Sequence, residues 1–91
     1  YGAELAGRAT ASGETFDPSE LTAAHPDYFK FSSHPVYAKV TYLKTGKSVT
    51  VRINDHGPTS GNRIIDLSRA AAEKIGLRAD GIGTVRVELL K

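Results

Sequence analysis

Asp55 stands where an alternating, β-branched run, Val49-Thr50-Val51-Arg52-Ile53, breaks off into Asn54, Asp55, His56, Gly57 and Pro58. A carboxyl at a strand end, between an amide and an imidazole, can serve as acid and then as base. It does so when its pKa is raised towards the working pH. That requires a partly desolvated groove floor or a neighbouring carboxylate, either of which disfavours ionisation. The same five residues are also ordinary turn formers, and an Asp among them commonly bonds its own backbone. Asn54 reads equally as turn former and as hydrogen-bonding group. His56 reads as a solvated turn histidine or as a neighbour that biases Asp55. Three histidines, His25, His34 and His56, match no helix-borne metal spacing, and with no cysteine there is no zinc-type pattern. No metal and no cofactor is expected.

The elements that must hold these residues are short. "AKVTYL" and "SVTVRI" are alternating strands joined through Lys44-Thr45-Gly46-Lys47, a hairpin with glycine where positive φ is needed. Val49, Val51 and Ile53 should face the core, with Val40 and Tyr42 on one side of their strand and Thr41 and Leu43 on the other. "RATASGETFD" reads as a short strand and a turn at Ser12-Gly13, and "DPSELTAA" as a single helical turn started by Asp17-Pro18. "HPDYFKFSSHP" is expected to be a loop with aromatic anchors, in which Tyr28, Phe29 and Phe31 pack the loop down or stack on a ligand. "RIID" gives a further short strand. "LSRAAAEKIG" gives one helix, capped by Ser68, favoured by three alanines and stopped at Gly76. Asp66 reads as a helix-start residue, and Arg52 and Arg63 as loop-holding or ion-paired groups. "GTVRVELL" closes the chain as a strand. Many short strands, one short helix and nine glycines suggest a small closed β-barrel.

Ninety-one residues fit one domain, 1–91, around one core. Twelve basic against ten acidic side chains leave +2, scattered rather than striped, which argues against nucleic acid and still suits an anionic wall polymer. No apolar run approaches membrane-spanning length. Absence of cysteine excludes disulfides and leaves the compartment open. The chain opens on Tyr1 and has no methionine, which reads as a processed piece of a longer precursor.

"GRATASGETFD", "LTAAH" and "VRINDHGPTSGNRIIDLSRAAAEKIG", in this order, resemble the double-psi β-barrel domain of the rare lipoprotein A family, septal lytic transglycosylases. The resemblance covers almost the whole chain and is most specific from Val51 to Gly76. It implies a mainly β, six-stranded double-psi β-barrel with one or two short helices and a groove across one face. It also implies cleavage of the β-1,4 bond between N-acetylmuramic acid and N-acetylglucosamine in peptide-stripped glycan strands, with 1,6-anhydro ends. The family's two carboxylates fall on Asp55 and Glu14, its groove histidine on His25, and Thr10, Asn54 and His56 are the remaining expected substrate contacts. Taken alone, Glu14 is an exposed turn carboxylate, and His25 is as readily a structural histidine.

In such an enzyme the sugar's own 6-hydroxyl is the nucleophile, so one carboxyl acts as acid and then base. The expected partner is peptidoglycan in the cell envelope, periplasmic or secreted, with a lipoprotein anchor in the full-length protein and a monomeric domain. Two departures stand out: His56 replaces the family's usual arginine, and "PDYFKFSSHPVY" lengthens the loop after "TAAH". They leave room for a non-catalytic, expansin-like glycan-binding module.

Overall fold

The protein is represented by a computed structural model that describes residues 6–58 and 63–90. Five strands form one sheet in the order β4-β1-β3-β2-β5. In chain order these are β1 (Thr22–His25), β2 (Val36–Tyr42), β3 (Ser48–His56), β4 (Asp66–Leu67) and β5 (Val85–Leu90), with one helix, α1 (Arg69–Lys74). The Ala9–Thr15 bridge is a further, isolated pairing. Six strands are expected from the resemblance, and the described residues contain five plus that bridge.

The β2–β3 hairpin is built as its alternation requires. Its register runs from Thr41 opposite Ser48 to Val36 opposite Ile53. Gly46 closes the turn at φ +72, a conformation that costs a residue with a Cβ. The Gly46 and Tyr42 amides donate to the carbonyls of Tyr42 and Lys47 at 2.8 and 2.9 Å. Val49, Val51 and Ile53 are buried with Ala38, Val40 and Tyr42 in one cluster, and Ala71 and Ile75 close it from the helix side. Each larger aliphatic side chain so buried contributes about 1.5–3 kcal/mol. Leu43 is exposed, because the strand has ended there and the turn has begun.

Ser68 caps α1. Its hydroxyl accepts from the Ala71 amide at 3.3 Å and donates to the Glu20 carbonyl at 2.6 Å, tying the helix start to the chain ahead of β1. Gly76 at φ +79 ends the helix, and the Leu77 amide returns to the Ala72 carbonyl at 2.9 Å.

Three expectations need correction. Asp17-Pro18 starts a turn and not a helix: the Ser19 amide and hydroxyl both donate to Asp17 Oδ1, at 2.9 and 2.6 Å. The chain then runs extended as β1, since four residues cannot offset helix nucleation but gain ladder bonds on both edges. Asp66 lies in β4 opposite Ala24 and pairs with Arg63 at 2.9 Å, so Ser68 alone is placed to cap. Of the loop aromatics Tyr28 is buried and Phe31 packs against the core, but Phe29 on the 3₁₀ turn Tyr28–Lys30 does not anchor the loop and remains 69 % exposed.

Candidate active site

The site begins with an irregularity in β3. Along this strand Val49, Val51 and Ile53 point inward, and Thr50 and Arg52 point outward. Strand β1 runs parallel to β3, pairing Ala23 with Ile53 but Ala24 with Asp55, so Asn54 is an extra residue in the ladder. On a regular strand residues 52 and 55 would face opposite sides, because the pleat repeats every two residues. The bulge at Asn54 shifts the pleat by one and brings Arg52 and Asp55 to the same face. Asn54 takes the inward position and is 2 % exposed. Nothing in the alternation up to Ile53 announces the shift; the one signal is a polar Asn where the strand still has two residues to run.

The turn at residues 10–14 is sewn onto this strand end. Within it, the Gly13 amide donates to the Thr10 carbonyl at 2.9 Å and the Thr10 amide to the Glu14 carbonyl at 2.8 Å. Gly13, at φ +87, is the residue that permits so tight a reversal. The Ser12 amide donates to the Asn54 carbonyl at 3.1 Å, and the Ala11 amide donates to Asp55 Oδ1 at 3.0 Å. That same oxygen accepts the His56 amide at 2.8 Å. Two main-chain donors therefore fix the orientation of the Asp55 carboxyl group. Thr10 is buried, sharing a hydrogen bond with Ser12 Oγ at 2.8 Å and donating to the Glu14 carbonyl at 3.2 Å; in this geometry it holds the turn.

Glu14 is held by charge. Arg52 forms an ion pair with it through Nη2, with Nε 3.4 Å from the other carboxylate oxygen. The Ser12 hydroxyl adds a donor at 3.1 Å. The Arg52 hydrogen bond holds the Glu14 carboxyl below the usual carboxylate range; burial opposes it, and the Ser12 hydroxyl reinforces it. Arg52 shifts upward in return, chiefly through the same bond. Glu20 gives Arg52 a second, looser acidic neighbour at 3.5 Å. Arg52 and Ser12 are the site residues that residue-by-residue reading does not pair with Glu14, because only the bulge and the turn bring them together.

His25 ends β1, directly opposite His56 in the register. Its Nδ1 accepts the Asp27 amide at 3.0 Å, which leaves the ring proton on Nε2. Burial pushes its pKa below the usual histidine value, so the ring is neutral at neutral pH. The Phe31 ring lies 5.4 Å away. His56 is exposed, with the Phe29 ring 5.0 Å from its own. Among the described residues no group of three His, Cys, Asp or Glu is arranged to hold a metal ion.

A parallel strand pair at the heart of a small, mainly β sheet, with its crossing connections, fits a double-psi β-barrel. The lytic transglycolase family model matches residues 1–87, and the chain belongs to that family. It is 49 % identical over 88 residues to the endolytic peptidoglycan transglycosylase RlpA of Neisseria meningitidis, covering 97 % of this chain and 35 % of the relative. To the Pseudomonas aeruginosa protein of the same name it is 50 % identical over 88 residues, 97 % of this chain and 25 % of that one. To the Escherichia coli protein it is 51 % identical over 75 residues, 82 % and 20 % of the two chains. The chain thus spans about a third or less of the length of these relatives. Among solved structures the Streptomyces papain inhibitor has the same fold, with a TM-score of 0.73 over 91 % of this chain and 83 % of that chain, at 22 % identity.

Proposed function

We propose that this domain is a peptidoglycan lytic transglycosylase, with Asp55 as the acid and then the base. The observation that carries the reading is the bulge at Asn54, which puts Asp55 on the face where Arg52 grips Glu14. The two carboxyls are thereby given different tasks. Glu14, kept ionised by Arg52, cannot donate a proton near neutral pH. It supplies negative charge to the oxocarbenium-like centre at the anomeric carbon of N-acetylmuramic acid. Asp55, its carboxyl oriented by the Ala11 and His56 amides, delivers its proton to the glycosidic oxygen.

The bond from the anomeric carbon to that oxygen breaks, and N-acetylglucosamine leaves with a new hydroxyl. The 6-hydroxyl oxygen of the muramyl sugar bonds to the same carbon, and its proton returns to Asp55. No water is consumed, and the carboxyl ends as it began. His25, neutral and carrying Nε2–H, donates to a sugar hydroxyl, while Asn54 and Thr10 keep the turn and strand end in place. The relatives' activity as endolytic peptidoglycan transglycosylases supports this substrate class, and the place of work is then the cell envelope.

The test uses peptide-stripped glycan strands and mass spectrometry of the products. The protein should generate 1,6-anhydromuramyl ends. Asp55→Asn should lower their formation by at least about 100-fold while leaving the fold intact, since the amide oxygen still accepts from Ala11 and His56. Strand binding without new ends would replace the enzyme by a glycan-binding module, and reducing ends without the anhydro mass would mean hydrolysis.

A further inference from the structure

Tyr37 has no part in the chemistry above, yet it stands beside it. It lies on β2 directly opposite Arg52 of β3, and directly opposite Leu90 of β5 on its other side. Side chains opposite one another across an antiparallel ladder share a face of the sheet, with Cβ atoms about 4.5–5.5 Å apart. The shorter end of that range belongs to this pair. The Arg52 amide donates to the Leu21 carbonyl at 3.1 Å, towards β1, so Arg52 turns its main-chain groups away from β2. Tyr37 and Arg52 are therefore a non-hydrogen-bonded pair, the kind whose side chains come closest. Tyr37 thus flanks the side chain that grips Glu14, on the face to which the Asn54 bulge also brings Asp55.

Core packing does not account for this ring. Tyr37 is 43 % exposed, and Leu90 beside it equally so. The next row across the same three strands is Thr50, Lys39 and Glu88, all exposed and polar, as a solvent face should be. An exposed apolar side chain carries no meaning by itself. This one is fixed, because β2 is bonded along both edges, to β3 and to β5.

The level of Tyr37 on the sheet says which part of a polymer reaches it. It is level with Arg52, and Asp55 lies roughly 7–10 Å further along β3. The proton enters at Asp55, positive charge develops beside Glu14, and Tyr37 adjoins the residue that holds Glu14. A glycan running from Asp55 past Glu14 comes to Tyr37 on the muramyl side of the broken bond, away from the leaving sugar. A pyranose presents a face of axial C–H bonds, which packs on an aromatic ring whose hydroxyl stays wet.

Resting on the proposed transglycosylase reading, we infer that Tyr37 is a stacking platform for the glycan on the muramyl side of the scissile bond. It sets how tightly strands are held and takes no part in moving the proton. A contact made equally in the ground and transition states changes KM and leaves kcat.

The chain contains no tryptophan, so Tyr37→Trp places a lone indole on the platform. That variant, combined with Asp55→Asn to keep the strands intact, is titrated with peptide-free glycan strands and followed by fluorescence. Calorimetry gives strand affinity, and mass spectrometry of anhydro ends gives turnover, for the protein, Tyr37→Phe and Tyr37→Ile. Isoleucine keeps a strand-favouring residue and loses the flat ring. Expected are an indole emission shift on binding, about tenfold weaker affinity and higher KM in Tyr37→Ile with kcat within about twofold, and near-normal values in Tyr37→Phe. An emission shift and the Tyr37→Ile loss of affinity, with no anhydro ends from any form, would uphold the platform and overturn the enzyme reading. Anhydro ends with unshifted emission and an unaltered KM in Tyr37→Ile would overturn the platform and leave the enzyme reading standing.

Discussion

Replacing Arg52 by Gln tests whether charge, and not packing, holds the turn to β3. The Gln side chain keeps most of the apolar stem and removes the cation. Arg52 and Glu14 side chains are 29 % and 39 % exposed, so solvent screens the pair and its contribution is about 1 kcal/mol, not the several expected of a fully buried pair. For a domain of this size that is a fall in Tm of about 5 °C at neutral pH. The pH dependence carries the sign. Glu14 has its folded-state pKa depressed, chiefly by Arg52. The stabilisation is therefore complete above the unfolded value, about 4.3, and is lost as pH falls through the lower folded value. Thermal unfolding followed by circular dichroism at pH 7 and at about pH 2 should show the Arg52→Gln deficit at the first pH and little of it at the second. Glu14→Gln should give a similar deficit, and the double variant should cost less than the sum of the two. A deficit of equal size at both pH values would refute the argument and make Arg52 a packing residue.

Ser68→Ala removes both the helix cap and the buried bond to the Glu20 carbonyl, and should cost about 1–2 kcal/mol in denaturant unfolding. At Gly83 an added Cβ would lie 2.5 to 2.9 Å from two ring carbons and the hydroxyl oxygen of Tyr42. Gly83→Ala should then destabilise by about 1–3 kcal/mol, with the tyrosine displaced. The Tyr42 hydroxyl donates to Asp80 at 2.5 Å, and that bond and charge raise its pKa. Asp80→Asn should bring the tyrosinate absorbance transition to lower pH, and an unmoved transition would mean that the pair does not persist in solution.

Legibility followed the range of the interaction. The β2–β3 hairpin, α1 with its Ser68 cap and the Gly76 stop are local patterns, and each was readable because neighbours along the chain decide it. Strand β1 was not, since "LTAA" becomes extended only by docking between β3 and β4. Family likeness points to Glu14 and Asp55 as the proposed pair of carboxyls, but nothing in it announces their different environments. The Arg52 partnership depends on a phase slip at Asn54 and on a turn whose partner lies far along the chain. Asp66 misled because an acid ahead of a helix reads as a cap, while the ladder had already claimed it.

The parallel pairing of β1 with β3 has one more effect. These strands meet only after the chain between them has doubled back through β2, so their union is a late, non-local event. Asp55 is present from synthesis, yet it acquires a direction at that moment and not before. An unfinished copy carries both acids without the common face that the β1–β3 pairing gives them.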